Sequence, residues 1–246
     1  MNPRPFTSPH PWDRWVMAAF LAVAYASIYF GFNISVTERF AGKADFPAPL
    51  MLQVHVFVAT GWMLGLAVQV ALIRTGRPQL HRLAGIGMMA LAPLLVVTAI
   101  GAEAASQHFY TPRYPENIRF FIEPIGQMLV FAVCIGAGWL MRRDSAAHKR
   151  LMLLGTTAVL VAAYTRWWGS GLYDVFGDGF WGMIVHNYAG PDVLMALLVC
   201  YDLATRRRIH PVYLTGVPLV VVSQLAASAI YHSDAWPGIA RGWLGL

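Results

Sequence analysis

Charged residues, cysteines and lysines are scarce in this chain. Asp, Glu, Lys and Arg make up 12% of its 246 residues, whereas 57% are hydrophobic. A soluble domain of this composition would expose too much apolar surface, but a helix in lipid satisfies its own backbone polar groups. Cys134 and Cys200 lie inside apolar runs, which excludes a secreted disulfide framework. Lys43 and Lys149 lie outside such runs, which excludes a retinal Schiff base. The composition therefore predicts one membrane domain.

Compact catalytic motifs are also absent from the sequence. It contains no glycine-rich loop that would cradle a phosphate, no serine nucleophile elbow and no His-Glu-x-x-His motif. The formal net charge of +6 does not indicate nucleic-acid binding, because the arginines stand in short hinges between apolar runs. The expected partner is therefore the lipid bilayer, and nucleic acid is not expected.

Two apolar hairpins organise the chain. Leu50–Ile73 and Leu83–Ile100 flank one arginine-rich hinge, and Glu123–Met141 and Leu151–Trp168 flank another. Together with three further apolar runs, they predict an all-α integral membrane helix bundle of about seven transmembrane helices. The predicted spans are Trp15–Phe32, Leu50–Ile73, Leu83–Ile100, Phe121–Met141, Leu151–Trp168, Met183–Ala204 and Val212–Tyr231.

The distribution of Lys and Arg predicts the orientation of the bundle. Twelve of the eighteen lie in segments on the same side of the membrane as the amino terminus, and six lie in segments on the opposite side. The positive-inside rule then places the amino terminus in the cytoplasm and the carboxyl terminus outside a bacterial inner (plasma) membrane. Residues 1–14 are expected to form a cytoplasmic tail, 15–232 the transmembrane domain and 233–246 an outer tail.

Histidines at the span ends form two candidate cofactor-binding pairs. At a rise of ~1.5 Å per residue, His81 and His148 lie near the inner boundary, and His55 and His186 near the outer one. Two histidines at equal depth on different helices are what haem b ligation requires in a bundle. Two stacked haems would carry electrons across the membrane from a quinone or another redox partner. A histidine beside Arg or Lys is equally typical of a contact with lipid headgroups.

The basic residues beside the inner histidines are candidate partners for haem propionates. They are Arg82, next to His81, and Lys149 and Arg150, next to His148.

A second hypothesis places a metal site at the outer face. Three histidines with carboxylate partners would bind zinc or another transition metal and leave an open water position, as in a metal-dependent lipid hydrolase. The candidate ligands are His55, His186, His232, Glu103, Glu123 and Asp192. The structural alternative to this metal site is a polar outer cap in which Arg166 pairs with Glu103 or Glu123. The third class of function is a non-catalytic membrane subunit or small-solute transporter.

Two stretches carry a resemblance to known proteins. They are Val54-His55…Gly61-Trp62…Gln69…Arg74-Thr-Gly-Arg77…Leu80-His81-Arg82-Leu-Ala-Gly85 and His148-Lys-Arg-Leu-Met152…Arg166-Trp167. Over Leu50 to Trp168 the chain resembles an uncharacterised family of bacterial multi-span membrane proteins. More loosely, it resembles transmembrane b-type cytochromes of the ascorbate-reductase type. That resemblance implies two haems held by histidines of four consecutive helices. Here the fourth span offers Glu123 and Gln127, so His186 would substitute.

Overall fold

The computed structural model describes residues 5–6 and 10–246, which form nine α-helices, one 3₁₀ helix and no β-strand. The prediction of an all-α bundle is confirmed. The helices are α1 (Asp13–Phe40), α2 (Leu50–Arg74), α3 (Pro78–Tyr110), the 3₁₀ helix (Pro115–Phe121), α4 (Ile122–Leu140), α5 (Ser145–Trp167), α6 (Gly169–Phe176), α7 (Phe180–Arg206), α8 (Pro211–Tyr231) and α9 (Trp236–Leu244).

Six helical segments within the described residues are long and apolar enough to cross a membrane. They are α1, α2, α3, the 3₁₀ helix continued by α4, α7 and α8. The chain is therefore a multi-pass membrane protein. The fifth predicted span, which corresponds to α5, is not among the six, because Arg150 and Arg166 interrupt its apolar sequence near both ends.

Helix α5 occupies the centre of the bundle. It packs against α1, α4, α7 and α8, and 14 of its 23 residues are buried. Glycines allow the close approach of these helices: a Cβ added to Gly31 of α1 would lie 2.9 Å from the Ala163 carbonyl carbon of α5. Close packing of small residues is a main source of helix association in lipid, where apolar side chains gain little from burial. The neighbours of α5 shield it, so it does not need an apolar surface facing lipid.

The basic hinges meet at one end of the bundle, which we call the basic end. The start of α1 and the α2–α3, α4–α5 and α7–α8 connections form it. Asp13 joins several of these segments, with its carboxylate 3.0 Å from Arg206 Nη2 and 3.7 Å from Lys149 Nζ. Arg74 Nη1 also donates to the Arg14 carbonyl at 2.9 Å.

Helix α3 extends beyond the predicted span at both ends. It begins at Pro78, which lies at the first turn where its missing N–H costs no hydrogen bond. It ends at Tyr110, ten residues beyond the predicted end of the span at Ile100. A ladder of side chains one turn apart supports this extension: Gln107 donates to Glu103 at 2.7 Å and accepts from Thr111 at 2.8 Å.

The end of the bundle opposite the basic end carries two short helices that the sequence did not predict. Helix α6 lies between the fifth and sixth predicted spans, and α9 lies in the expected tail 233–246. Trp236 of α9 is buried beside Ile118 and Phe121, and its indole N–H donates to the Arg119 carbonyl at 3.0 Å. The last residues are therefore packed on the bundle.

Candidate functional site

The structure brings His81 and His148 together at the basic end. Each is the fourth residue of its helix, His81 in α3 and His148 in α5. Asp144 caps α5 and fixes its start by accepting the N–H groups of Ala146 at 2.9 Å and Ala147 at 3.1 Å. The two imidazole centres are 6.2 Å apart, and the ring planes are nearly perpendicular, at 87°. The sequence predicted that His81 and His148 lie at the same depth in the membrane, and in the structure the two side chains are also neighbours.

Both imidazoles are oriented by a carbonyl from the helix that precedes them. His148 Nδ1 lies 2.8 Å from the carbonyl oxygen of Gly138 in α4, and His81 Nδ1 lies 3.4 Å from that of Gln69 in α2. Because a carbonyl only accepts, the short contact with Gly138 places the proton of His148 on Nδ1 and leaves the lone pair on Nε2, the state in which imidazole binds a metal. The Nδ1 atom of His81 also accepts a hydrogen bond from the Gln69 side-chain nitrogen at 2.5 Å.

Gly138 allows the close contact with His148. A Cβ at this position would lie 2.7 Å from Met152 Cε and 3.2 Å from Leu151 Cβ, so the absence of a side chain lets the end of α4 approach α5 closely. On the other hairpin, the Gln69 side-chain amide lies against the first turn of α3. Its nitrogen reaches the His81 carbonyl at 3.0 Å, and its oxygen accepts the Gly85 N–H at 2.9 Å.

The separation of the two rings suits two imidazoles bound to one metal. Metal–imidazole bonds of about 2 Å, together with roughly 1 Å from nitrogen to ring centre, would place the centres roughly 6 Å apart. Both histidines are half-buried. The two residues therefore offer the donor atoms that a haem iron takes from a protein.

The number of ligands distinguishes haem from zinc at this position. A zinc site needs three or four protein ligands. No group of three or more His, Cys, Asp or Glu residues that could hold a metal occurs in the part of the chain that the structure describes. A haem requires only two, because the porphyrin supplies the other four.

One of the basic residues expected near propionates is not available. Arg150 is 3% exposed, and its guanidinium is paired with the Asp202 carboxylate, so that expectation is wrong for Arg150. Lys149 lies 3.7 Å from Asp13. Arg82 is exposed and forms no salt bridge among the described residues. Of the three, Arg82 is the residue left to meet an anionic group beside His81.

The outer pair is arranged differently from the inner pair. His55 of α2 has its Nδ1 3.4 Å from Thr98 Oγ1 of α3. His186 of α7 packs instead against Tyr173 of α6, with ring centres 5.7 Å apart. The structure gives these two histidines separate partners on separate helices.

The six candidate ligands of the outer metal site are also dispersed. Both ring nitrogens of His232 face carbonyl oxygens, Nδ1 that of Ser228 at 2.8 Å and Nε2 that of Asp178 at 3.0 Å. The carboxylates each have their own partners: Glu103 accepts from Gln107, Glu123 from Tyr188 and Asp192 from Gln224. The structure does not assemble these residues into one site.

Arg166 does not form the salt bridge expected of a polar outer cap. Its Nη1 donates to the Ala162 carbonyl one turn earlier at 2.8 Å, and its guanidinium carbon lies 4.9 Å from the Phe32 ring centre. Neither Glu103 nor Glu123 is within salt-bridge distance of it. The arginine therefore packs on an aromatic ring of α1.

The sequence analysis missed the two residues that orient the histidines. Gly138 acts through its main-chain carbonyl oxygen, which every residue carries, so side-chain chemistry gives no signal for it. Gln69 contacts His81 through its side-chain amide as well as its carbonyl, and these partners become apparent only when α2 packs against α3. Their position is the available signal, since each lies near the end of the apolar run that precedes its histidine.

Comparison with family models, curated proteins and solved structures returns no match for this chain.

Proposed function

We propose that this protein is a b-type haem electron-transfer protein of the bacterial inner membrane, with His81 and His148 as the axial ligands. The observation that carries the proposal is the geometry of the pair. The ring centres are 6.2 Å apart, and the ring contacts of both histidines with the preceding helix go through Nδ1, so neither Nε2 atom has a hydrogen-bond partner among the described residues. The resemblance to transmembrane b-type cytochromes supports the same assignment.

Each residue of the site has a distinct role in this proposal. His81 and His148 would hold the haem iron, while Gly138, through its carbonyl, and Gln69, through its side-chain amide and carbonyl, keep the rings in position. Arg82 favours the binding of anionic propionates from the exposed side. A bound haem supplies reversible one-electron transfer. The structural support is limited to one haem, because His55 and His186 are not arranged as a pair.

The proposed topology places this site near the cytoplasm. Counting α5 as a seventh span puts the basic end inside by the positive-inside rule, with the amino terminus. A reductant from the cytoplasm or a quinol from the adjacent bilayer would then reach the haem at this end.

The visible absorption spectrum of the purified protein tests the proposal. We expect a Soret band that sharpens and shifts on reduction with dithionite, in protein purified from haem-sufficient cells. His81→Ala and His148→Ala should each lose the low-spin spectrum, because one remaining imidazole cannot give six-coordinate iron. His55→Ala and His186→Ala are the matched controls and should retain it.

Three outcomes would contradict the assignment. A colourless wild-type protein would exclude haem, and an unchanged spectrum in both inner-histidine variants would exclude these ligands. Loss of the spectrum only in the His55 and His186 variants would assign the haem to the opposite end of the bundle.

A further inference from the structure

A second polar cluster lies inside the bundle, away from the histidine pair. Glu123, in the first turn of α4, is fully buried, at 0% exposed. Its Oε2 accepts a hydrogen bond from the Tyr188 hydroxyl of α7. Its Oε1 has no hydrogen-bond partner within the described residues. One carboxyl oxygen of Glu123 is therefore hydrogen-bonded, and the other has no hydrogen-bond partner.

No cation neutralises Glu123. In the described part of the chain, the salt bridges of Arg and Lys involve Asp13, Glu116 and Asp202, and none involves this residue. An ionised carboxylate buried without a cation costs several kcal/mol, and such a group takes up a proton instead.

The groups on the packed helices do not supply positive charge either. Tyr188 and Asp192 face this region from α7, and Tyr231 faces it from α8. The nearby cation on the 3₁₀ helix, Arg119, donates to Glu116 at 2.6 Å and to the Tyr231 carbonyl at 2.8 Å. The surroundings of Glu123 are thus neutral or acidic.

A small cavity adjoins this cluster between α4, α5, α7 and α8. Its volume is about 20 Å³, which is room for roughly one water molecule. Its polar lining includes Gln127, Tyr188, Asp192, Ser223 and Gln224. Asp192 is half-buried, and its Oδ1 accepts from Gln224 Nε2 at 2.7 Å. Tyr188 therefore touches Glu123 on one side and the cavity with Asp192 on the other.

We propose that Glu123, Tyr188 and Asp192 form a buried proton-binding site in which Glu123 is protonated at neutral pH. The carboxyl proton lies on Oε1, the oxygen without a partner, because Oε2 accepts the Tyr188 hydroxyl. When the proton leaves to water, Glu123 becomes a carboxylate that keeps its Tyr188 hydrogen bond. The site is independent of the proposed haem, so each proposal can fail alone.

Infrared spectroscopy of the purified protein tests the site directly. At neutral pH the wild-type protein should show the C=O stretching band of a protonated carboxylic acid, with a downward shift in D₂O. Glu123→Gln should lose this band, whereas Glu116→Gln, which removes an exposed and salt-bridged carboxylate, should keep it. Tyr188→Phe should raise the frequency of the band, because the carboxyl loses a hydrogen bond, and a purely structural role would not produce that shift.

Other results would overturn the proposal. One is a Glu123→Gln difference spectrum that contains only the bands of an ionised carboxylate. Another is the disappearance of the acid band when sodium chloride replaces choline chloride, which would indicate a sodium site. If Glu123→Gln fails to fold, the proposal is tested by the pH titration of the wild-type acid band and by the shift of that band in Tyr188→Phe.

Discussion

The buried ion pair between Arg150 and Asp202 makes the strongest prediction about stability. The two side chains are 3% and 1% exposed, and they join α5 to α7 at the basic end. Arg150 donates through Nε and Nη2 to the carboxylate and through Nη1 to the Ala146 carbonyl at 2.8 Å. The only other donor to Asp202 among the described residues is the His210 N–H, at 3.4 Å. Substituting Arg150 by Met therefore leaves a buried carboxylate almost without partners.

The cost follows from that loss of partners. Removing one member of a buried pair typically destabilises by about 3–5 kcal/mol, because the other charge stays buried. At roughly 2–4 °C per kcal/mol for a chain of this size, the midpoint of thermal unfolding should fall by about 6–20 °C. Asp202→Asn combined with Arg150→Met removes the stranded charge, so the double variant should be more stable than Arg150→Met alone.

Thermal unfolding in detergent, followed by tryptophan fluorescence, measures these midpoints. Arg143→Met is the matched control, because Arg143 is exposed and makes no side-chain hydrogen bond in the described structure. Its effect should stay within about 0.5 kcal/mol. A midpoint of Arg150→Met equal to that of the control would refute the reasoning, since it would mean that water solvates Asp202.

Two further variants test packing and pH dependence. Gly190→Ala would place a Cβ 2.8 Å from Tyr164 Cβ, at the base of a buried ring. We expect this variant to lower the free energy of unfolding by about 1–3 kcal/mol in the same assay. An unchanged midpoint would contradict the close packing of α5 against α7. Burial lowers the pKa of the His210 imidazole, and its neutral Nδ1 accepts the Val212 N–H that starts α8 at 3.2 Å. Its contribution to stability is therefore complete above the unfolded pKa of about 6.5 and declines as the pH falls below it. His210→Asn keeps a capping acceptor without titrating, so its midpoint should fall less on acidification than that of the wild type, and equal falls would exclude this role.

Much of the helical architecture follows from local sequence. Apolar runs bounded by arginine-rich hinges predicted α2 and α4 to within about a residue at either end, because hydropathy is a property of the segment itself. The same hinges mark the ends of the spans and so allow depth in the membrane to be estimated, which is why His81 and His148 were expected at the same depth. The lengths of α3 and the existence of α9 were not predicted. Both depend on polar or aromatic side chains finding partners after the chain folds.

The candidate site could be predicted only in part, for the same reason. Its histidines are visible in the sequence as residues at span ends. The carbonyls that orient them are invisible there, because they become distinctive only when one helix packs against the next. The expected outer metal site illustrates the converse: suitable ligand types at similar depth were given separate partners by the packing.

The sequence by itself determined that this chain forms a membrane bundle of helices whose basic hinges gather at one end, because lipid excludes unpaired backbone and charge. Only the tertiary structure decided which polar groups meet. It set His81 beside His148, paired Arg150 with a residue 52 positions away, and left Glu123 with Tyr188 but no cation. Those choices depend on close packing between helices, which fixes partners that are distant along the chain.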